Sequence, residues 1–391
     1  VSAATIGAAG TMSRVVLAFL LTLASLSATF AISAGQRPPA SRDLPQDYVA
    51  ARAWLDGGSP YQPLADLYQR YGFPPADDDV LVPYNPHPPT GILLTAPLAL
   101  LAYDDAVSVL LGVQLAALAL TWVMSCELFR PRLARWAWAL AGGAFGLWAP
   151  VWQGLAWGQP VALLALGILA TWQFARAEYG FAFGLPLSVT MLVRPFTALL
   201  VVVGVTLGVK QRALAAVGVM VGAAVPFAAV GIWPGDWLRL ASHAGGYVPA
   251  CGSLPGVLHI GAAGGIACFA IAFAGLLWLA HRRWSLDSLA ALACVSALLA
   301  YPLSWFQYDT CLIPAVAWVL ARLSRADRRA AMWALVAYLA LRSVPDLMPG
   351  ASGKPITELL ARHKNWLQVI ARGFLLLAVV LVSERTGDSR A

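Results

Sequence analysis

Charge is what this chain has least of. Only 12% of its 391 residues are Asp, Glu, Lys or Arg, about half the share found in an ordinary soluble domain. A solvated globular surface is thereby excluded. Metal and disulfide chemistry are equally poorly provided for. Cys126, Cys251, Cys268, Cys294 and Cys311 are scattered without metal-ligand spacing, so neither a disulfide framework nor a metal centre is expected. Four of the five stand in apolar runs, where a thiol behaves as a small hydrophobe. No cleavage site is read at the N-terminus, so residues 12–34 are expected to stay as a first span. No internal repeat is visible, which weakens a transporter reading.

What is present is hydrocarbon. Apolar residues make up 60% of the chain and the mean hydropathy is +0.70, the composition of a polytopic membrane protein. The reading is an all-α single integral domain over residues 1–391, embedded in membrane lipid. The net charge of +7 belongs to membrane topology rather than to nucleic acid.

The longest polar break runs from Arg42 to Pro97, within a first loop placed at 35–89. It carries Asp43, Asp47, Asp56, Asp66, Asp77, Asp78 and Asp79, with Asp104 and Asp105 just beyond, in a chain of 19 acidic residues. A membrane protein that concentrates carboxylates in one patterned loop beside the bilayer invites a functional reading; the alternative is a solvated linker. Tyr48, Ala51 and Leu55 share one face of a predicted helix over Asp47–Leu55, which Asp56-Gly57-Gly58 stops. Ser59-Pro60 can open a second helix, with Leu64, Leu67, Tyr68 and Tyr71 on its apolar side. Both are expected to lie on the membrane surface. The proline-rich run VPYNPHPP then fixes an extended return.

Residues 90–102 are apolar but short for a crossing. Further apolar runs occupy 105–128, 136–150, 159–175, 181–193, 196–209, 213–233, 259–280, 286–300, 307–321, 330–347 and 366–383. Arg130/Arg132/Arg135, Arg176, Lys210/Arg212, Arg282/Arg283 and Arg322/Arg325/Arg328/Arg329 mark inner turns by the positive-inside rule. The alternation holds if 90–102 is a half-length element. This predicts about 12 transmembrane segments, with the acidic loop, the loop at 234–258 and a basic loop at 348–365 on the outer side.

That side collects the unusual polar residues. Arg194 interrupts TMLVRPFTALL with no acid beside it in sequence. Such a charge is costly unless it is paired, snorkels or lines a cavity. Gln159, bracketed by Gly158 and Pro160, needs buried partners or breaks a helix. In YPLSWFQYDTCLIP, Gln307 and Asp309 exceed what an interfacial anchor requires; Asp309 either pairs with an arginine or sits in water. The 342–364 stretch, with Arg342, Lys354, Arg362 and His363, fits lipid head groups or a substrate phosphate. The glycine-bearing 234–258 loop, which holds His243 and Tyr247, can close over a substrate.

These segments, DYVAARAWLDGGSPYQP, YNPHPPTGILLTAPLALL, WGQPVALLALGILA, VRPFTALL and YPLSWFQYDTCLIP, together resemble the family 87 glycosyltransferases over roughly residues 14–320. The resemblance implies a bacterial enzyme of the GT-C type in the plasma membrane. Its donor would be a polyprenyl-phosphate-linked sugar, most often mannose, and its acceptor a glycolipid or envelope glycan. The active site would face the periplasm or exterior. Asp47 stands at the family's catalytic aspartate, before a short helix. YNPHPP expands the family's Tyr-Pro-Pro, and Arg194 occupies the place of a basic residue. Ser304 and Trp305 match the late motif, but Gln307 and Tyr308 stand where one or two histidines are usual, so that role does not carry over.

The chemistry can be argued from the residue types. Asp47 can take the acceptor hydroxyl's proton as general base. Arg194, or His87, Lys354 or Arg362, can hold the departing phosphate, with Gln159, Gln307 and Tyr308 as further substrate contacts. Asp43, Asp309 and His243 are secondary candidates. One base implies inversion, whereas a retaining path asks for a second carboxylate such as Asp43. No cofactor or metal is expected, and the oligomeric state is open. A transporter or flippase of lipid-linked sugars is the alternative, marked by repeats and midplane charges. A noncatalytic scaffold leaves Arg194 and the acidic loop unexplained.

Overall fold

The computed structural model describes residues 44–73, 83–129, 135–146, 148–242, 251–323, 329–343 and 355–383. The expected first span at 12–34 lies outside them. The acidic loop folds into α1 (Leu44–Leu55) and α2 (Leu64–Arg70). Next come α3 (Pro89–Ala99), α4 (Tyr103–Phe129), α5 (Arg135–Gly146), α6 (Ala149–Ala156), α7 (Val161–Arg176) and α8 (Gly180–Val193). A 3₁₀ turn, Pro195–Leu200, runs into α9 (Val201–Gly204). Then follow α10 (Val209–Val230), α11 (Pro234–Ala241), α12 (Leu254–Val257), α13 (Gly261–His281) and α14 (Leu286–Ala300). A second 3₁₀ turn, Phe306–Leu312, enters α15 (Ile313–Leu323), and α16 (Arg329–Ser343) and α17 (Pro355–Val382) complete the described chain. Among the described residues the only extended pairing is an isolated bridge between Pro63 and Tyr84.

The all-helical expectation holds among the described residues, and the length and composition of the helices there do not by themselves account for about 12 spans. Among the described residues four helices are long and apolar enough to cross a membrane: α4, α10, α13 and the Asn365–Val382 part of α17. The α6–α7 pair, bent by 119°, makes a fifth if counted as one span. Shorter apolar helices among the described residues are Pro89–Ala99, Gly180–Val193, Pro195–Gly204 and Leu286–Ala300. The expected half-length element is α3, whose 11 residues span roughly 16 Å.

The two loop helices differ from expectation in start and in partner. α1 begins at Leu44 rather than Asp47, since Pro45 is tolerated in a first turn. α2 begins at Leu64, where Pro83 O accepts the Leu64 N–H at 2.8 Å. Their apolar faces are turned into the protein rather than laid on lipid. Tyr48, Val49, Leu64, Leu67 and Tyr68 pack with Ile92, Ala96 and Ala99 of α3 into a core of their own. Leu64 and Leu67 bury almost completely, a gain of about 1.5–3 kcal/mol each. Phe73 bridges Tyr48 and Tyr103 with T-shaped and tilted contacts. Arg52 donates to Ala99 O at 2.7 Å, and Tyr48 donates to Leu101 O at 2.7 Å. The loop is thus bolted to both ends of the α3–α4 corner.

The helix that carries Arg194 is held by close packing. A Cβ added at Gly184 would lie 2.3 Å from Ala215 O, and one at Gly218 would lie 2.5 Å from Phe181 O. Only glycine lets the α8 and α10 backbones approach so nearly, the small-residue device of membrane helices.

The basic surface loop expected at 342–364 is corrected in two ways. Arg342 is 1% exposed and points inward from the last turn of α16. Residues from Pro355 onward are already helix, in α17. In the 234–258 loop, α11 opens the segment and α12 closes it.

Candidate active site

Three pieces of chain distant in sequence meet around Asp47, the fourth residue of α1. Its carboxylate faces the YNPHPP segment, with 13% of its side-chain surface exposed. Asn85 Nδ2 donates to Asp47 Oδ1 at 2.9 Å, and His87 Nδ1 lies 2.7 Å from the same oxygen. An ionised carboxylate only accepts, so the imidazole is the donor there. Burial by itself would raise the Asp47 pKa. The charge and hydrogen bond of His87, the Asn85 amide and the nearby Arg194 guanidinium outweigh it, and the carboxyl is held below its ordinary value. Among the described residues its charge is stabilised by the Asn85 and His87 side chains.

The prolines explain why the segment can do this. Pro86 and Pro88 bar helix and hold the backbone extended, and Pro89 opens α3 at its first position. Asn85 then folds its amide back, Oδ1 accepting the His87 N–H at 2.9 Å, an Asx turn. Tyr61 donates to His87 O at 3.0 Å, and Trp237 of α11 donates to Pro86 O at 3.2 Å. The segment is therefore clamped from two sides, and the 234–258 loop reaches the site through its first helix. Burial, with the Asp47 charge, pushes the Tyr61 phenol well up, so it stays a donor.

Arg194 is the third piece. Because it precedes Pro195 it is driven out of the helical region, and it caps α8 with φ −147° and ψ 106°. It is 6% exposed, so it does not snorkel to water. Its Nη1 donates to Val193 O at 3.0 Å, and its guanidinium lies 5.5 Å from the Tyr308 ring centre. Asp47, His87 and Arg194 line one cleft, walled by Leu44, Thr95, Gly158 and Leu163. Among the described residues Asp47 is the one carboxylate on it. The cleft holds about 40 Å³, small beside an ordinary ligand pocket. Gly158 has φ +70° and a Cβ there would meet Leu44 at 3.0 Å, which makes glycine necessary at that bend.

The remaining candidates sort clearly. Gln159 is buried beside Gly158, at the α6–α7 bend. Gln307 is buried against Gly154 of α6, away from the cleft lining. Tyr308 sets its ring against the Arg194 guanidinium and packs on Phe196, with ring centres 5.5 Å apart. Asp309 takes the pairing alternative: it is wholly buried between Arg342 Nε at 2.5 Å and Arg372 Nε at 2.7 Å. Arg372 also donates to Trp305 O at 3.1 Å and Leu298 O at 3.2 Å. This cluster ties α14, α16 and α17 to the turn that presents Tyr308. Asp43, His243 and Lys354 lie outside the described residues, as does the side chain of Arg362. Asn85 is the residue the sequence reading missed. Its only local signal is an amide placed before proline in a loop otherwise fixed by prolines.

The other end of the bundle is different. α4, 27 residues long and thus roughly 40 Å, carries Tyr103 beside α1 and Phe129 at the far side. There a wider cavity of about 670 Å³ is lined by Glu127, Arg176, Asp287 and Arg322. Arg176 lies 3.7 Å from Asp287 and donates to Leu128 O at 2.7 Å. Arg176 and Arg322, two of the expected inner basic residues, thus lie together, remote from Asp47. The Asp47 cleft remains the better candidate despite its size. It brings a partly exposed carboxylate, an imidazole and a buried guanidinium to one lining.

A family model described as Glycosyltransferase family 87 matches residues 85–302, more than half of the chain. The match includes Asn85, His87, Gln159 and Arg194 and begins after Asp47. No curated protein and no solved structure matches. With carboxylate, imidazole and guanidinium converging on one cleft of a membrane-type helical bundle, the chain belongs to glycosyltransferase family 87 and is a sugar-transferring enzyme.

Proposed function

We propose that the enzyme moves a sugar, mannose first among the candidates, from a polyprenyl-phosphate carrier to a hydroxyl of a glycolipid or envelope glycan. It works in the bacterial plasma membrane, with the Asp47 cleft on the periplasmic or extracellular face. The single observation that supports this most is the clasp on Asp47. Two donors keep its carboxylate ionised, and Arg194 borders the same cleft. Asp47 supplies the basicity that draws off the acceptor's proton. Arg194 offsets the charge that gathers on the departing phosphate, which leaves already ionised and needs no protonating acid. A single carboxylate among the described cleft residues favours one displacement with inversion over a covalent sugar–enzyme intermediate. A flippase is disfavoured by the concentration of acid in an outer loop rather than at the bilayer midplane.

The test is incubation of the purified enzyme with a panel of polyprenyl-phosphate sugars and envelope glycolipids, with products identified by mass spectrometry. Transfer from a lipid-phosphate sugar is expected. Transfer only from nucleotide sugars, or none from any donor, would overturn the reading.

A further inference from the structure

We infer that the acceptor's proton is received by Nε2 of His87, with Asp47 acting behind the imidazole as its counter-charge. This rests on the sugar-transfer reading above and names the atom that touches the hydroxyl. The geometry points to it in three steps. First, Asp47 Oδ1 is already occupied by two donors, the Asn85 amide at 2.9 Å and the His87 ring at 2.7 Å. Second, because that carboxylate is acceptor-only, Nδ1 carries the ring proton, and in the neutral ring Nε2 bears the lone pair. Third, the ring is set firmly: its backbone N–H is held by Asn85, its C=O by Tyr61, and the residue is bracketed by Pro86 and Pro88. Its side chain keeps 15% of its surface exposed and borders the cleft with Arg194. Among the described residues no hydrogen bond occupies Nε2, while every other polar atom of His87 is engaged.

The step balances. The acceptor oxygen forms a bond to the anomeric carbon, and the bond from that carbon to the phosphate oxygen breaks. The released electron pair stays on the phosphate, whose second negative charge faces Arg194. The hydroxyl proton moves to Nε2, and the imidazolium that results is neutralised by Asp47 at Nδ1. The charged and titratable groups around the ring among the described residues are Asp47 from α1, Tyr61 from the α1–α2 connection and Arg194 from the end of α8.

His87→Asn is the test variant, because its amide can replace Nδ1 as donor to Asp47 while Nε2 is lost. It is assayed with the donor and acceptor the panel identifies. The expected result is a fall in kcat of about 10²-fold or more with donor KM unchanged. The acid limb of kcat/KM should move to lower pH, since a carboxylate is a weaker base than an imidazole. In the wild-type enzyme that limb is expected above the carboxylate range; a limb at about pH 4 would assign the proton to Asp47 alone and overturn the inference without any variant. So would a His87→Asn enzyme with more than about a tenth of wild-type kcat and an unmoved limb, while a dead Asp47→Asn enzyme beside it would leave sugar transfer with Asp47 as direct base intact. Absence of transfer by the wild-type enzyme overturns the sugar-transfer reading first, and this one with it.

Discussion

Replacing Asp47 with asparagine separates chemistry from structure, because the two roles differ in size and in pH dependence. The introduced amide oxygen can still accept from Asn85 and His87, whose bonds to the native carboxylate measure 2.9 and 2.7 Å, so the site keeps its shape. Two charge-assisted bonds become neutral ones, a loss of about 1 kcal/mol each, partly offset because no charge is any longer buried. A net stability cost of about 1 kcal/mol follows. Its sign with pH is fixed by the depressed Asp47 pKa. A carboxyl lowered on folding contributes stability above its unfolded value of about 3.9 and loses it as pH falls through the folded one. The melting difference between the two proteins is therefore present at pH 7 and closes below about pH 4. Catalysis responds differently. Loss of the base is worth roughly 10²–10⁴ in rate, or about 2.7–5.5 kcal/mol of barrier. Thermal melts at both pH values, donor binding and single-turnover sugar transfer would be measured on the same preparation. A folded Asp47→Asn enzyme that binds donor yet retains more than about a tenth of the wild-type rate would refute the assignment.

Arg194→Gln is expected to raise donor KM and lower kcat/KM by roughly 10²-fold while melting near wild type; donor kinetics identical to wild type would confine Arg194 to packing on Tyr308. Asp309→Asn should cost about 3–5 kcal/mol, because it leaves Arg342 and Arg372 buried without their carboxylate, and a melting temperature within a degree of wild type would show that the cluster carries little stability. Asp66→Cys, on an otherwise cysteine-free chain, should react with an impermeant maleimide added to intact cells, since Asp66 is exposed on the loop placed outside; labelling only after permeabilisation would invert the topology.

Much of this protein was legible from local chemistry. Hydropathy marks the apolar helices, because burial in lipid depends on each segment's own composition. The break at Arg194 follows from Pro195, whose ring excludes the helical conformation of its neighbour. The shortness of α3 follows from the prolines before it and the polar turn after it. Asp47 was singled out among the loop's acids by its place together with the resemblance to family 87, and its short helix by periodicity. The contacts that make the site were not legible. Asn85 reaches Asp47 from 38 positions away, and nothing local to either residue announces the other. Asp309 read in place was open to an arginine partner or to water, and Arg342 read as part of a basic outer loop, so neither residue named the other. They are joined across 33 positions, and the pairing turns two costly charges into a buried clamp. Tertiary structure also decided that the loop helices bury their apolar faces in the protein rather than in lipid, since an amphipathic stripe specifies that it must be covered but not by what. Composition and turn chemistry act within a few residues, whereas hydrogen bonds and ion pairs between distant segments depend on how the helices pack, and that is where the carboxylate, imidazole and guanidinium acquired a common cleft.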